Sequence, residues 1–522
     1  MPVGSPWLSL EPYPKLPLTQ MLEWSAARYP NKAALISADG QEYTFARLWR
    51  AARKIARLLE EHGLARGDRV GILAPNCPEY AVAFYATLLA GGAATTLNSL
   101  YRQREVEHQL NDSGAIALFH SRTHAPLVEA VRGELPTVRH FFAIEDVWQL
   151  ADEVTGEPYP VAIDPYHDLA ALPYSSGTTG LPKGVRLTHF NLTSNIRQNS
   201  AGGFVDRYSV LLDFLPFFHI YGLSVLLNMG LAIGASQVIM PRFDVEQMLH
   251  LTEKYRVTNL FVAPPAMLAM ANVPEPSRFD TSSLTFIRSG AAPMVPEVAQ
   301  RVSSMYDCTV LQSYGLTETS PSTNVNPIRR AKPTSVGPPL PDTEEKVVDL
   351  ETGEELPPGK VGELLIRGPQ VMQGYWERPE ATAECLSADG WLRTGDIASI
   401  DEEGYVYVHD RKKEMIKYKG YQVAPAELEA VLLEHPQVRD AAVIPKADAT
   451  GGEIPKAFVV MAADAATSAD ELMAFVAERV APYKKVRQVE FVDAIPKSAS
   501  GKILRRELIE RERAWGGAQP EQ

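Results

Sequence analysis

Residues 174–184 read YSSGTTGLPKG, directly behind the apolar run LAALP. The hydroxyls of Ser175, Ser176, Thr178 and Thr179 are interspersed with Gly177 and Gly180, and Lys183 and Gly184 close the stretch. Glycines let a backbone turn sharply and bring its N–H groups against a ligand. Hydroxyl donors and one cation complete an anion cradle, with phosphate the anion it suits best. It is not a Walker loop, because no Ser or Thr follows Lys183 to hold magnesium. A Gly/Ser/Thr-rich surface linker has the same composition, so the rest of the chain must decide between the two.

Further stretches share this character. QSYGLTETS (312–320) groups an aromatic, a glycine, threonines and an acid. Tyr314 can stack on a purine, and Glu318 can hold a divalent cation that bridges phosphate oxygens. The same letters also suit a helix N-terminus capped by Thr317 or Thr319. WLRTGD (391–396) reads as a strand ending in Gly395 and Asp396. That carboxylate can accept from ribose hydroxyls or make an ordinary Asx turn. DRKKEMIKYKG (410–420) gathers Arg411, Lys413 and Lys417 with further lysines, interrupted by Met415 and Ile416. Such runs are commonly solvated faces, yet the apolar interruptions point some of them inward. PKSASGKILRR (496–506) again closes small polar residues with Gly-Lys, placing Lys502 on a loop before a helix. A cation is disfavoured at a helix start, which favours a role for it elsewhere.

These loops need a framework of strands and helices. Apolar strands alternate with helical patterns: strands at 69–74, 92–97, 236–240 and 259–263, with a helix at 78–90 and another, VEQMLHLTEKY, before the last strand. The order predicts an α/β fold with largely parallel sheets. Near residue 400 the texture becomes charged and strand-like, followed by the helix APAELEAVLLEHP, and a small α+β domain is expected there. The division falls at 1–410 and 411–522, with a hinge near Asp410–Lys413.

A chain of 522 residues with 45% hydrophobic and 22% charged side chains is of globular type. Its net charge of −13 argues against nucleic acid as a partner, so ligand phosphates must be met by local cations. Cys77, Cys308 and Cys385 show no CxxC spacing, which fits a reducing, cytoplasmic setting. No signal peptide or peroxisomal address is read at the termini. The uncharged runs 80–101 and 214–241 read as buried helix–strand pairs broken at glycines, not as membrane spans.

Taken together and in this order, the stretches resemble the adenylate-forming superfamily of acyl-CoA synthetases, plant 4-coumarate–CoA ligases, beetle luciferases and peptide-synthetase adenylation domains. The likeness runs from about residue 35 to about residue 510, and FFHIYGL (217–223), SGAAPM (289–294) and YKGYQVAPAELE (418–429) also look like the ligase and luciferase branch. The resemblance implies that a carboxylate attacks the α-phosphate of ATP to give an acyl adenylate and pyrophosphate, and that the coenzyme A thiol then displaces AMP. It implies a clamp from Ser175 to Lys183 for the β- and γ-phosphates. Glu318 and Thr179 would hold Mg²⁺, and Thr317 would reach the α-phosphate. Tyr314 would stack on adenine against Gly290–Ala291, with Asp396 and Arg411 on the ribose. By the same likeness Lys502 drives adenylation and His219 gates the acyl carboxylate. Rotation at Lys413 would then bring Lys417 and Gln422 to the AMP phosphate and Gly420 to the pantetheine tunnel. The acyl pocket would include Tyr221, Ser224, Gly290, Gly315, Pro321 and Ser322, the small residues leaving room for a flat ring or an alkyl chain.

No cation presents itself for a second carboxylate and no acid for an amino group. The expected substrate is therefore an apolar monocarboxylate, a medium or long fatty acid or an aryl-propenoic acid such as 4-coumarate. Partners are small molecules only, and a homodimer is compatible with this reading. Transfer to a carrier-protein thiol and a non-catalytic nucleotide-binding scaffold are the competing hypotheses.

Overall fold

The computed structural model describes residues 3–175, 182–411, 414–418, 421–448, 452–463, 465–480, 482–498 and 501–516. Its largest sheet runs in the order Ser322–Val325, Thr309–Gly315, Phe286–Ser289, Asn259–Val262, Val210–Asp213, Ser236–Ile239, Ala33–Ser37, Glu42–Thr44. The inner pairings are parallel and both outermost are antiparallel. A second sheet is centred on the parallel strands Ala93–Thr96, Arg69–Leu73 and Ala115–His120. Strands buried on both faces have no polar alternation to offer, which is why they read as continuous apolar runs. Helices with proline in the first turn, such as Pro78–Leu89, Pro264–Ala271 and Pro296–Tyr306, make the crossovers.

An antiparallel sheet carries Glu344–Val348, Gly362–Arg367, Leu392–Ile400 and Val406–Arg411. The C-terminal part builds its own sheet from Ile416–Tyr418, Tyr421–Val423, Val438–Asp448, Gly452–Met461 and Gln488–Phe491, around a separate core including Ile416, Leu428, Val443 and Val459. The fold is α/β, with a large N-terminal part of mostly parallel sheets and a smaller C-terminal part. Among the described residues no helix is long and apolar enough to cross a membrane. The run at 214–241 holds a π-helix, Tyr221–Asn228, the helix Met229–Ile233 and the strand Ser236–Ile239. The strand expected to end at Asp396 instead continues to Ile400, so Asp396 lies within it.

Asp213, at the end of Val210–Asp213, is fully buried, and neither carboxylate oxygen has a partner among the described residues. Burial pushes its carboxyl well above the usual range. Protonated when folded and ionised when unfolded, it contributes stability that is whole below a pH of about 3.9 and is lost as the pH rises past that value. Asp213→Val should gain about 1–3 kcal/mol at pH 5, and urea titrations should show the gain widening toward pH 8.

Candidate active site

The candidate residues gather at the carboxyl ends of the parallel strands, where open α/β sheets leave a crevice for ligands. The phosphate loop begins and ends in a two-stranded hairpin in which Lys183 pairs with Ser175 and Gly184 with Tyr174. Ser176, Gly177, Thr178, Thr179 and Gly180, and likewise Lys413 and Gly420, lie outside the described residues. The next residues run beside a distant segment: Trp376 N–H donates to Gly184 O at 2.8 Å and Arg186 N–H to Gly374 O at 3.0 Å. A Cβ on Gly184 would meet Trp376 Cβ at 3.2 Å and Leu172 Cδ1 at 3.1 Å, so the close approach needs glycine.

That pairing delivers Tyr375. Lys183 Nζ lies 5.2 Å from the centre of its ring. Its hydroxyl donates to Glu318 Oε1 at 2.9 Å, and Ser175 Oγ donates to the same oxygen at 2.9 Å. Glu318 and Thr317 sit on the short 3₁₀ turn Thr317–Thr319, held by Met372 N–H on Glu318 O at 2.9 Å. Both side-chain bonds fall on Oε1, and Oε2 has no partner among the described residues. Such a carboxylate suits Mg²⁺, which takes one or two carboxylates and completes its shell with phosphate oxygens and water.

Asp396 and Arg411 are register partners on adjacent strands, with Arg411 Nε 3.3 Å from Asp396 Oδ1. The Tyr314 hydroxyl donates to Asp396 Oδ2. Burial pushes the Asp396 carboxyl up, against the pull of Arg411, Tyr314 and Lys502. Among the described residues no backbone N–H donates to the Asp396 carboxylate, and Thr394 Oγ1 accepts the Asp396 backbone N–H at 3.0 Å.

Lys502 arrives from the C-terminal part. Its loop is tied by Ser498 N–H to Lys502 O at 2.8 Å and seats on the large part, where a Cβ on Gly501 would lie 3.0 Å from Pro265. Burial lowers the Lys502 ammonium to about 8, helped by Arg411 and opposed by Asp396, Glu318 and Glu414. His219 lies in the same field, pushed down to about 3 by burial and by Lys502. Its Nδ1 accepts from Tyr221 N–H at 3.2 Å, so the neutral ring carries its proton on Nε2. Lys417 is not in this cluster. It is exposed, its N–H donates to Glu453 Oε2 at 2.7 Å, and it pairs with Gln422 across the hairpin.

Of the expected acyl-pocket residues, Tyr221 and Ser224 lie on the π-helix, and a Cβ on Gly290 would stand 3.2 Å from the Tyr221 ring. Ala291 follows with φ 72°. The glycines do not leave the open room expected of them. At Gly315 the Pro321 carbonyl oxygen sits 2.0 Å from where a Cβ would be, so that glycine serves backbone contact with Pro321–Ser322. A cation that the sequence reading did not weigh lies close to Tyr221 and Ser322. Arg288 is 1% exposed, donating from Nη1 to Asn199 Oδ1 at 2.7 Å and from Nη2 to Ser322 Oγ at 3.0 Å. Sequence reasoning missed Tyr375 and Arg288. An arginine inside the apolar strand FIRS was the visible signal for the second. For Tyr375 no local spacing points to Glu318.

Comparison with known proteins accords with this geometry. Residues 22–376 match the family described as AMP-binding enzyme, and residues 427–502 match the AMP-binding enzyme C-terminal domain. The chain is 40% identical to 4-coumarate–CoA ligase 2 of Oryza sativa subsp. japonica, over 94% of this chain and 92% of that one. It is 37% identical to a long-chain-fatty-acid–CoA ligase of Bacillus subtilis (strain 168), over 96% and 95%. ATP-bound MatB from Rhodopseudomonas palustris matches its fold with a TM-score of 0.88 at 29% identity, covering 96% of this chain and 100% of that structure.

Proposed function

We infer the work of individual residues from the premise that this chain belongs to the AMP-binding enzyme family, as an AMP-forming acyl-CoA synthetase that uses ATP and coenzyme A. One observation carries the assignment: the loop of the C-terminal part seats Gly501 against Pro265 of the large part, which sets Lys502 in the field of Glu318, Asp396 and Arg411. Bringing a carboxylate onto a polyphosphate is an electrostatic problem, and donors fixed in advance are the main means of solving it.

In this reading Lys183 and the loop from Ser175 hold the β- and γ-phosphates. Glu318, with Thr179, would hold Mg²⁺, which would supply charge neutralisation to the phosphates. Thr317 donates to the α-phosphate. Tyr314 offers a face to adenine, and Asp396, oriented by Arg411, accepts from the ribose. His219 donates from Nε2 to the acyl carboxylate, and Lys502 bonds that carboxylate and the bridging oxygen during attack. For thioester formation the C-terminal part turns about Lys413, withdrawing Lys502 and presenting Lys417, Gln422 and Gly420 to AMP and the pantetheine arm. The exposed position of Lys417 supports this reading, because a residue reserved for the second step should stand away from the first.

The acid enters beside Tyr221, along the strand Phe286–Ser289. The relatives divide between an aryl-propenoic acid and long fatty acids by name. The unpaired cysteines are consistent with a cytoplasmic enzyme. Pyrophosphate release across a panel of acids, with and without coenzyme A, tests the reading: release should require an acid and turn over only with coenzyme A. Lys417→Ala should slow thioester formation about 10- to 100-fold while leaving adenylation unchanged in single-turnover assays. Equal loss of both steps would remove the two-face assignment.

A further inference from the structure

Arg288 is a charge for which the described residues provide no counter-charge. It stands inside an apolar strand, paired with Phe261 on one side and Leu311 on the other. Its two hydrogen-bond partners, Asn199 and Ser322, are neutral, and Nε has no partner. Tyr221 is the ionisable neighbour that acts on it, and burial keeps that phenol protonated, pushed up to about 12. Burying a guanidinium without an anion is strongly unfavourable. Such a group persists where a bound ligand supplies the missing charge.

Its place in the fold says which ligand. Arg288 and Gly290 lie on the same face of the strand, one pleat or about 7 Å apart. Gly290 packs on the Tyr221 ring, and Arg288 reaches Ser322 beside Pro321, so the guanidinium lies beyond the acyl entry on the side away from Lys502. On the neighbouring helix Tyr221–Asn228, Tyr221 donates its hydroxyl to the Arg288 carbonyl at 3.1 Å, which ties that helix to the strand. A purely hydrocarbon tail would leave the guanidinium uncompensated.

We propose that Arg288 is the distal specificity residue of the acyl pocket and takes an anionic oxygen at the tail of the acid, so that the preferred substrate carries a second carboxylate several bonds from the activated one. This rests on the acid–CoA ligase reading and narrows its substrate class. Either an aryl-propenoic acid with a ring carboxylate or a chain with an ω-carboxylate would present the same oxygen.

The test compares matched acids by pyrophosphate release: 4-carboxycinnamate against cinnamate and 4-hydroxycinnamate, and decanedioate against decanoate. Wild type should favour the carboxylate-tailed member of at least one set about 10- to 100-fold in kcat/KM, and which set responds separates ring from chain. Arg288→Met should reverse that preference with an unchanged or raised Tm, because it removes an unpaired buried charge. Arg288→Lys should keep its direction. Wild-type preference for the hydrocarbon- or hydroxyl-tailed acids would overturn the proposal. So would an unchanged ratio in Arg288→Met, or a loss of Tm in Met that Lys restores without any effect on the ratio. Turnover of every acid without discrimination removes this inference alone, whereas silence with every acid removes the ligase reading beneath it.

Discussion

Lys502→Ala should lower pyrophosphate release about 100- to 1,000-fold and leave thioester formation from a supplied acyl adenylate within about threefold of wild type. The first half follows from position. Lys502 is a half-buried cation in the field of Asp396, Glu318 and Arg411, and its loop is seated on Pro265 through Gly501. A preorganised donor at developing charge is worth far more in such a site than in water. The second half follows from Lys417, which stands exposed while Lys502 is engaged. The same cation sets a pH dependence. Its folded-state value of about 8 means that the ammonium is present below that pH and is lost above it. The kcat/KM for adenylation, which reports the free enzyme, should therefore fall as pH rises through about 8. Lys502→Arg, still charged at high pH, should move that alkaline limb upward. Parallel pH profiles of the two proteins check this, and an unshifted limb would assign it to another group.

Glu318→Gln should cost about 100-fold in adenylation, with most of the loss in the KM for ATP at low Mg²⁺ and partial recovery as Mg²⁺ is raised. The substitution retains an oxygen able to accept from Tyr375 and Ser175 but removes the charge that a divalent cation needs. Equal activity at every Mg²⁺ concentration would show that Glu318 only braces Tyr375. Glu318→Ala should be worse than Glu318→Gln by the additional loss of those two bonds, so the pair of variants separates the charge from the scaffold.

Much of this protein could be read from residue type and local spacing. The α/β fold followed from apolar runs of strand length alternating with helical patterns, because burial on both faces of a parallel sheet leaves no polar alternation to misread. Ser175, Lys183, Glu318, Asp396, Arg411 and Lys502 stood out as candidates because phosphate, ribose and carboxylate each demand a particular side chain on a loop or strand end. Local pattern, however, reaches only a few residues along the chain. It could not place Tyr375 against Glu318, 57 residues away, or Tyr314 against Asp396, 82 residues away. Those contacts depend on how separate strands register. Nor could it show that Gly315 is filled by the Pro321 carbonyl, because a glycine reads alike whether it faces a cavity or a backbone. Arg288 marks the deepest limit. In the sequence it is one arginine in a short strand, and only the packing of Asn199, Ser322 and Tyr221 around it makes it a buried charge without a counter-charge among the described residues. The sequence by itself determined which chemistry the chain can perform. The tertiary structure alone decided which charges are stripped of water and which are left uncompensated, because desolvation is a property of everything packed around a group.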